Sequence, residues 1–350
     1  MRVFFGKDTV SGILWDYKLS LKKVGIEADV ILYDKHRFNY NYDYVLNPKG
    51  GKIRREIIAF LNISRLIRKY DIFNFFYGNS LLHFNLDVPL IRRSGKKIVM
   101  FFIGSDIRCN HLVLNKKMDK KECDFCGYPC RYEEKIRLVK YWERNADIIF
   151  SGVDNAQILE HYSMQYYPIT LPIDTEQWKP SEEKNQPKND IPLIVHAPSS
   201  HHMKGTEIIL DTIEKLQDNY DFTFRLITNM SNLEAKEWLN KSDIVIDRAR
   251  GRGWYGKLAV ESMALSNTVV GYIDDDLRNR VKYGQEVPIL NINEDNLYNI
   301  LAYQIEDMEE TWKIAQKSRK FVEKYHDNSV VGQEILDIYK KELGITDFNQ

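Results

Sequence analysis

Short apolar runs alternate with longer stretches of helical period along almost the whole chain. Residues 3–5 form a first strand candidate. Trp15, Leu19, Leu21 and Val24 follow at roughly helical spacing, and Gly25 is placed to end that helix. Residues 28–33 read as a second strand. Residues 53–69 repeat Ile57, Ile58, Leu61, Leu66 and Ile67 at the period of an amphipathic helix with a basic outer face. Residues 72–77, 98–103 and 148–151 are continuous apolar runs of strand length. Strands without polar alternation belong to a parallel sheet buried on both faces.

Residues 171–190 break the pattern. They are rich in Pro and charge, carry little periodicity and read as a linker. A second series then opens, with strands expected at 191–196, 222–228, 244–246 and 268–272. Helices are expected at 206–216, 233–239 and 257–265, and from about residue 295 the pattern is mostly helical. Alternating strands and helices predict an α/β protein built from two βαβ units with a cleft between them. The expected domains are 1–170, the linker 171–190, a second domain 191–325, and a terminal helical segment 326–350 returning to the first domain. No repeat of 20–50 residues and no low-complexity tract is present.

The length of 350 residues suits two domains, and no apolar stretch reaches the roughly 18 residues of a membrane-spanning helix. The first residues meet polar positions too soon for a secretory signal, so a cytoplasmic location is expected. Net charge is zero, but its distribution is uneven. Residues 1–170 hold 28 Lys and Arg against 19 Asp and Glu, and the remainder holds 22 against 31. A basic first half suits an anionic acceptor or the anionic inner face of a membrane. It equally suits mutual attraction of the halves. No motif for nucleic-acid binding is present.

Two segments place chemistry where α/β sheets bind ligands, at strand ends beside helix N-termini. In HAPSSHHMKGT, residues 196–206, a strand meets a small polar loop containing Ser199, and Lys204, Gly205 and Thr206 then open a helix. Exposed amides, an ammonium and a glycine suit a bound anion. His201 could supply a second donor. The plain alternative is a strand–turn–helix joint with a solvated lysine. In IVIDRARGRGWYGKLAVESMALS, residues 244–266, a glycine-rich turn leads into a helix bearing Glu261 between Val260 and Met263. A carboxylate there needs a partner, and a ribose diol would provide one. The plain alternative is a flexible loop with Glu261 exposed.

The spacing of HAPS, KGT, VID, GWYG, AVESMAL and VVGYID resembles the large fourth family of retaining glycosyltransferases, which have the GT-B fold. The likeness extends to LKKVGIEADVIL, to FIGSDIR at residues 102–108 and to LPIDTEQWKP. The resemblance implies a nucleoside-diphosphate sugar as donor and transfer with retention, without an obligatory catalytic metal. The acceptor would be a glycan, a lipid-linked species or another molecule. It places Lys204 and Gly205 at the diphosphate and Glu261 on the ribose. Tyr255 and Gly256 fall near the sugar or diphosphate, and Asp247 borders the base or sugar pocket. Ser199 and Thr206 belong to the same donor site. Asp106 is an acceptor-side candidate, with a simple turn-capping role as its alternative. The family's first motif Glu falls here on Gly253, and its usual Arg falls on His201. Arg248, Arg250 and Arg252 could restore that charge. A sugar-nucleotide 2-epimerase and a catalytically silent sugar-nucleotide-binding subunit are the competing readings.

All four cysteines cluster, at Cys109, Cys123, Cys126 and Cys130. Cys-x2-Cys spacing suits a tetrahedral structural zinc. Free buried thiols, a disulfide or an iron–sulfur group are the alternatives. Lys116, Lys117, Lys120 and Lys121 lie within this segment and could meet an anionic membrane or lipid phosphate, or form a solvated loop.

Overall fold

The computed structural model describes residues 1–7, 12–33, 40–46, 51–104, 106–107, 132–161, 165–187, 191–228, 230–250 and 253–345. Among these, the chain divides into two compact units. One contains the residues up to Pro172 and from Asn328 onward, and the other spans Ile173–Asp327.

The first unit opens with β1 (Arg2–Lys7), α1 (Ile13–Lys23), β2 (Glu27–Leu32) and β3 (Tyr44–Val45). It continues through α2 (Lys52–Lys69), β4 (Ile72–Phe76), α3 (Val88–Arg93) and β5 (Lys97–Phe102). The elements α4 (Tyr132–Asn145), β6 (Ile148–Ser151), α5 (Ala156–His161) and β7 (Tyr167–Pro168) follow. Its seven strands lie in the order β3-β2-β1-β4-β5-β6-β7, all parallel. Phe5, Phe76, Phe101 and Phe150 pack on one face, and Phe4, Phe73, Phe75 and Trp142 on the other. Burial on both faces explains why β5 ends in an unbroken apolar run and why β4 is apolar but for Asn74.

The helix at 52–69 departs from its expected packing. Among its described residues Ile63 and Leu66 are buried, whereas Ile57 and Leu61 are exposed. Apolar positions occur on more than one face of this helix, so period alone could not choose which face meets the sheet.

The second unit contains β8 (Leu193–His196), α6 (His201–Lys204), α7 (Thr206–Gln217), β9 (Thr223–Leu226), α8 (Asn232–Lys241) and β10 (Ile244–Arg248). Then come α9 (Lys257–Ala264), β11 (Thr268–Gly271), α10 (Asp275–Arg278), β12 (Leu290–Asn291), α11 (Leu297–Glu306) and α12 (Met308–Tyr325). Its five parallel strands run β12-β11-β10-β8-β9. The chain moves from β8 outward to β9, then returns to the other side of β8 for β10. The strand order therefore reverses between β8 and β10.

Residues 173–187 are held on the second unit. Ile173 N–H donates to His326 O at 2.9 Å, and Arg319 donates to the carbonyls of Thr175 and Trp178. Lys184 is buried. Its ammonium donates to the carbonyls of Ser242 at 2.7 Å and Leu265 at 3.0 Å, and to Asn267 Oδ1 at 2.5 Å. A lysine so used carries no sign of burial in the sequence.

The last helix, α13 (Asn328–Leu343), packs on α1 in the first unit. Gly332 makes this approach possible, since a Cβ there would lie 2.1 Å from Ser20 O. Tyr339 is buried, and its hydroxyl donates to Asn74 Oδ1 at 2.9 Å in the middle of β4. No helix among the described residues is long and apolar enough to cross a membrane.

Candidate functional site

The second unit brings two strand ends together at its topological reversal, between β8 and β10. Open α/β sheets bind ligands outside the carboxyl ends of strands at such a point. His196 ends β8 and is fully buried. Its Nδ1 lies 2.7 Å from Ile246 O, and its Nε2 lies 2.9 Å from Thr206 Oγ1. A carbonyl can only accept, so Nδ1 carries the proton and Nε2 accepts from the Thr206 hydroxyl. Burial pushes the imidazole down to about 4, and the ring is neutral. This neutral histidine ties the ends of β8 and β10 to the first residue of α7.

Lys204 does not open the long helix. It closes the short helix α6, and Gly205 follows in the left-handed conformation, φ 67° and ψ 38°. Gly205 is required here for two reasons. The conformation suits glycine, and a Cβ would meet Arg250 Cβ at 2.9 Å and Arg250 N at 3.0 Å. The close approach that Gly205 permits is thus to the chain's own loop after β10. Ala249 N–H donates to Lys204 O at 3.0 Å and fastens the same two segments.

The parallel register of β10 with β11 slips between Ile246 and Arg248, leaving Asp247 at the irregularity. Such a bulge re-aims side chains at a strand end. Asp247 is 2% exposed, and its two oxygens hold two cations. Lys204 Nζ lies 2.6 Å from Oδ1 and Arg248 Nε 3.0 Å from Oδ2. Burial by itself would raise the Asp247 carboxyl. Lys204 and Arg248 outweigh it and hold the group well below the usual carboxylate range. Asp247 is therefore an ionised anchor for both cations. The other end of Arg248 reaches α9, where a Cβ on Gly256 would lie 3.7 Å from its Nη2. Gly256 is the N-cap of that helix, whose first turn leads to Glu261. Glu261 is partly buried, with Lys257 Nζ 3.8 Å from its Oε1.

The other predicted residues divide clearly. Ser199 and His201 are exposed around the start of α6, beside Lys204. Thr206 is buried, with its hydroxyl committed to His196. Tyr255 does not face this cluster of charges. Its ring packs among Trp254, Phe321 and His326, its hydroxyl lies 2.8 Å from His326 Nε2, and burial raises it well above its ordinary pKa. A buried tyrosine needs a partner for its hydroxyl, and the fold supplies one, so Tyr255 acts as a core residue. Gly253 has φ 151° and is buried, a conformation in which a glutamate would be strained. That accounts for a glycine where the family's pattern has Glu.

Asp106 lies in the first unit, just after β5. Its oxygens accept from Ile103 N–H at 3.2 Å and Gly104 N–H at 2.9 Å, which is the turn-capping role. Cys109, Cys123, Cys126 and Cys130 lie outside the described residues, as do Lys116, Lys117, Lys120 and Lys121.

Sequence reasoning overlooked His196 as a joint and left Arg248 as one of three loop arginines. The signal available was an Asp-Arg pair closing an otherwise apolar strand.

Neither protein-family models nor curated protein sequences match the chain. Solved structures do. Sucrose-phosphate synthase from Thermosynechococcus elongatus superposes with a TM-score of 0.67 at 11% identity, covering 99% of each chain. Anabaena HepE in complex with UDP gives 0.63 at 13%, covering 97% of this chain and 100% of that one. The UDP-GlcNAc 2-epimerase from Neisseria meningitidis gives 0.58 at 15%, over 97% and 100%. The fold is GT-B, with two Rossmann-like domains.

Proposed function

We propose that the chain binds a nucleoside-diphosphate sugar at the reversal point of its second sheet and transfers the sugar to an acceptor. The observation that carries this reading is the pair of cations, Lys204 at the end of α6 and Arg248 at the end of β10, clasping buried Asp247. When the sugar–phosphate bond breaks, negative charge grows on the departing diphosphate. Fixed cations that need no reorganisation lower that barrier. Lys204 and Arg248 supply this charge, with His201 as a further donor, while Asp247 and His196 hold the geometry. Arg248 takes the place of the family's arginine that is His201 here. Glu261 accepts from the ribose hydroxyls, and Gly205 keeps the joint beside Lys204 compact. Retention of configuration, and a glycan or lipid-linked acceptor, complete the reading.

A 2-epimerase is the second reading, favoured by the similarity of fold to the N. meningitidis enzyme. Incubation with UDP-, GDP- and dTDP-sugars separates the possibilities. Slow donor hydrolysis that depends on Lys204 supports the transferase. An isomerised donor identifies the epimerase, and binding without turnover identifies a silent subunit. Absence of thermal stabilisation by every nucleotide would remove the assignment, because a ligand at 100 times its Kd should add ~2.7 kcal/mol.

A further inference from the structure

The helix that carries Glu261 is gripped at both ends by one neighbour. Helix α12 packs along α9. At the far end of α9, Arg319 Nη1 donates to Ala264 O at 2.7 Å. At its entrance the contact runs through Tyr255, the residue before the N-cap Gly256. The Tyr255 hydroxyl lies 2.8 Å from His326 Nε2. Arg319 and His326 are two helical turns apart, so both face the same side of α12.

His326 is a fixed post. It caps the end of α12 and is 1% exposed. Its ring is enclosed by Tyr255, Tyr283 and Phe321, with centroids 5.6, 5.8 and 5.4 Å away. Its amide donates to Val322 O at 2.8 Å, and its carbonyl accepts from Ile173 N–H at 2.9 Å. The neighbouring Asp327 accepts from Thr175 Oγ1 at 2.5 Å. The backbone that bears the imidazole is therefore tied to α12 on one side and to residues 173–175 on the other.

The turn it holds has little stiffness of its own. Gly253 and Gly256 flank Trp254 and Tyr255, and glycine permits many backbone states. Asp274 N–H donates to Gly253 O at 3.2 Å and fastens the start of the turn. Tyr255 fastens its end, where a Cβ on Gly256 would lie 3.7 Å from Arg248 Nη2. The Tyr255 side chain turns away from the charged cluster. The pair with His326 thus acts on the cluster only through the backbone of the turn and through α9.

We propose that His326 is a positioning residue for the donor site, setting the entrance of α9, and Glu261 beyond it, through Tyr255. The inference rests on the reading of that site as one for a nucleoside diphosphate. Linkage makes the effect reciprocal. If the bond strengthens nucleotide binding, bound nucleotide strengthens the bond.

Three variants test it, with UDP, GDP and dTDP as probes. Tyr255→Phe removes the hydroxyl and keeps the ring, His326→Leu removes its partner, and His326→Gln keeps a polar side chain there. The first two should each bind nucleotide about tenfold more weakly. Their combination should bind no more weakly than His326→Leu alone, since one bond is lost in each. His326→Gln should regain most of the affinity. In donor hydrolysis, KM should rise in the first two while kcat stays within about threefold. Ile314→Ala, a buried position elsewhere on α12, should lower the unfolding midpoint and leave affinity within about twofold. In the wild-type chain, whose folding no substitution disturbs, saturating nucleotide should slow hydrogen exchange of the Ile173 amide at least about threefold. Equal nucleotide affinity in the wild type, Tyr255→Phe and His326→Leu, or an unchanged Ile173 exchange rate, would overturn the positioning role and leave the donor site standing. Affinity lost equally in Ile314→Ala would reduce His326 to ordinary packing. A wild-type chain that binds none of the probes would remove the donor reading and this inference with it.

Discussion

Lys204 Nζ lies 2.6 Å from Asp247 Oδ1, although 43 residues separate them. The other oxygen of the same carboxylate holds Arg248. One buried anion thus fixes two cations, one at the end of α6 and one at the end of β10.

Replacing Asp247 by Asn should destabilise the second unit by ~3–5 kcal/mol, because two partly buried cations lose their counter-charge. The pH dependence gives an independent check. The folded carboxyl is held below its unfolded value, so its contribution is fully present above about pH 4 and is lost as pH falls toward the folded value. Urea unfolding of the two proteins should differ most near neutrality and converge below about pH 4. A constant difference across that range would contradict the assigned charge.

Lys204→Ala should weaken transition-state stabilisation by ~2–4 kcal/mol, measured as kcat/KM on whichever donor the nucleotide screen identifies. It also leaves Asp247 with one cation, so some stability should be lost. The double variant Lys204→Ala/Asp247→Asn should lose less stability than the sum of the two single losses, because both remove the same ion pair, and its turnover should stay low. Turnover restored to the wild-type level in the double variant would make Lys204 a structural residue only.

His196 is neutral in the folded protein, with its pKa pushed down to about 4 from 6.5. The unfolded chain binds the proton more readily. Stability from this group is therefore complete above about pH 6.5 and declines as pH falls toward 4, by up to about 3 kcal/mol. Between pH 7 and pH 5 the wild type should lose about 2 kcal/mol more than a His196→Asn chain. Equal losses in chemical denaturation would show that this imidazole is not held neutral.

Gly332→Ala should separate α13 from α1, since the added methyl would sit 2.1 Å from Ser20 O. Backbone cannot yield as a flexible side chain does, and a cost of about 1–3 kcal/mol is expected. Thermal unfolding measures it. A substitution with no effect would mean that this helix pair repacks freely.

Local pattern was enough to place the longer strands of both sheets. Runs such as Ile-Phe-Asn-Phe-Phe, apolar but for one Asn, and Ile-Val-Met-Phe-Phe favour burial on two faces, which parallel strands between helices provide. The short strands β3, β7 and β12, of two residues each, carried too little pattern to be seen. The lysine and glycine after β8, and the polar turn after β10, also pointed to two strand ends that the fold brings together. What those residues do there was decided only in three dimensions. Tyr255 turned inward because His326 was available to its hydroxyl. Lys184 was buried because oxygens from two separate segments, residues 239–242 and 265–267, converge on it. Ile57 and Leu61 stayed outside because Ile63 and Leu66 had already filled the sheet's face. Hydrophobic period is a property of neighbours along the chain and is legible there. The pairing of charges and buried polar groups depends on partners tens of residues away, and folding alone brings those together.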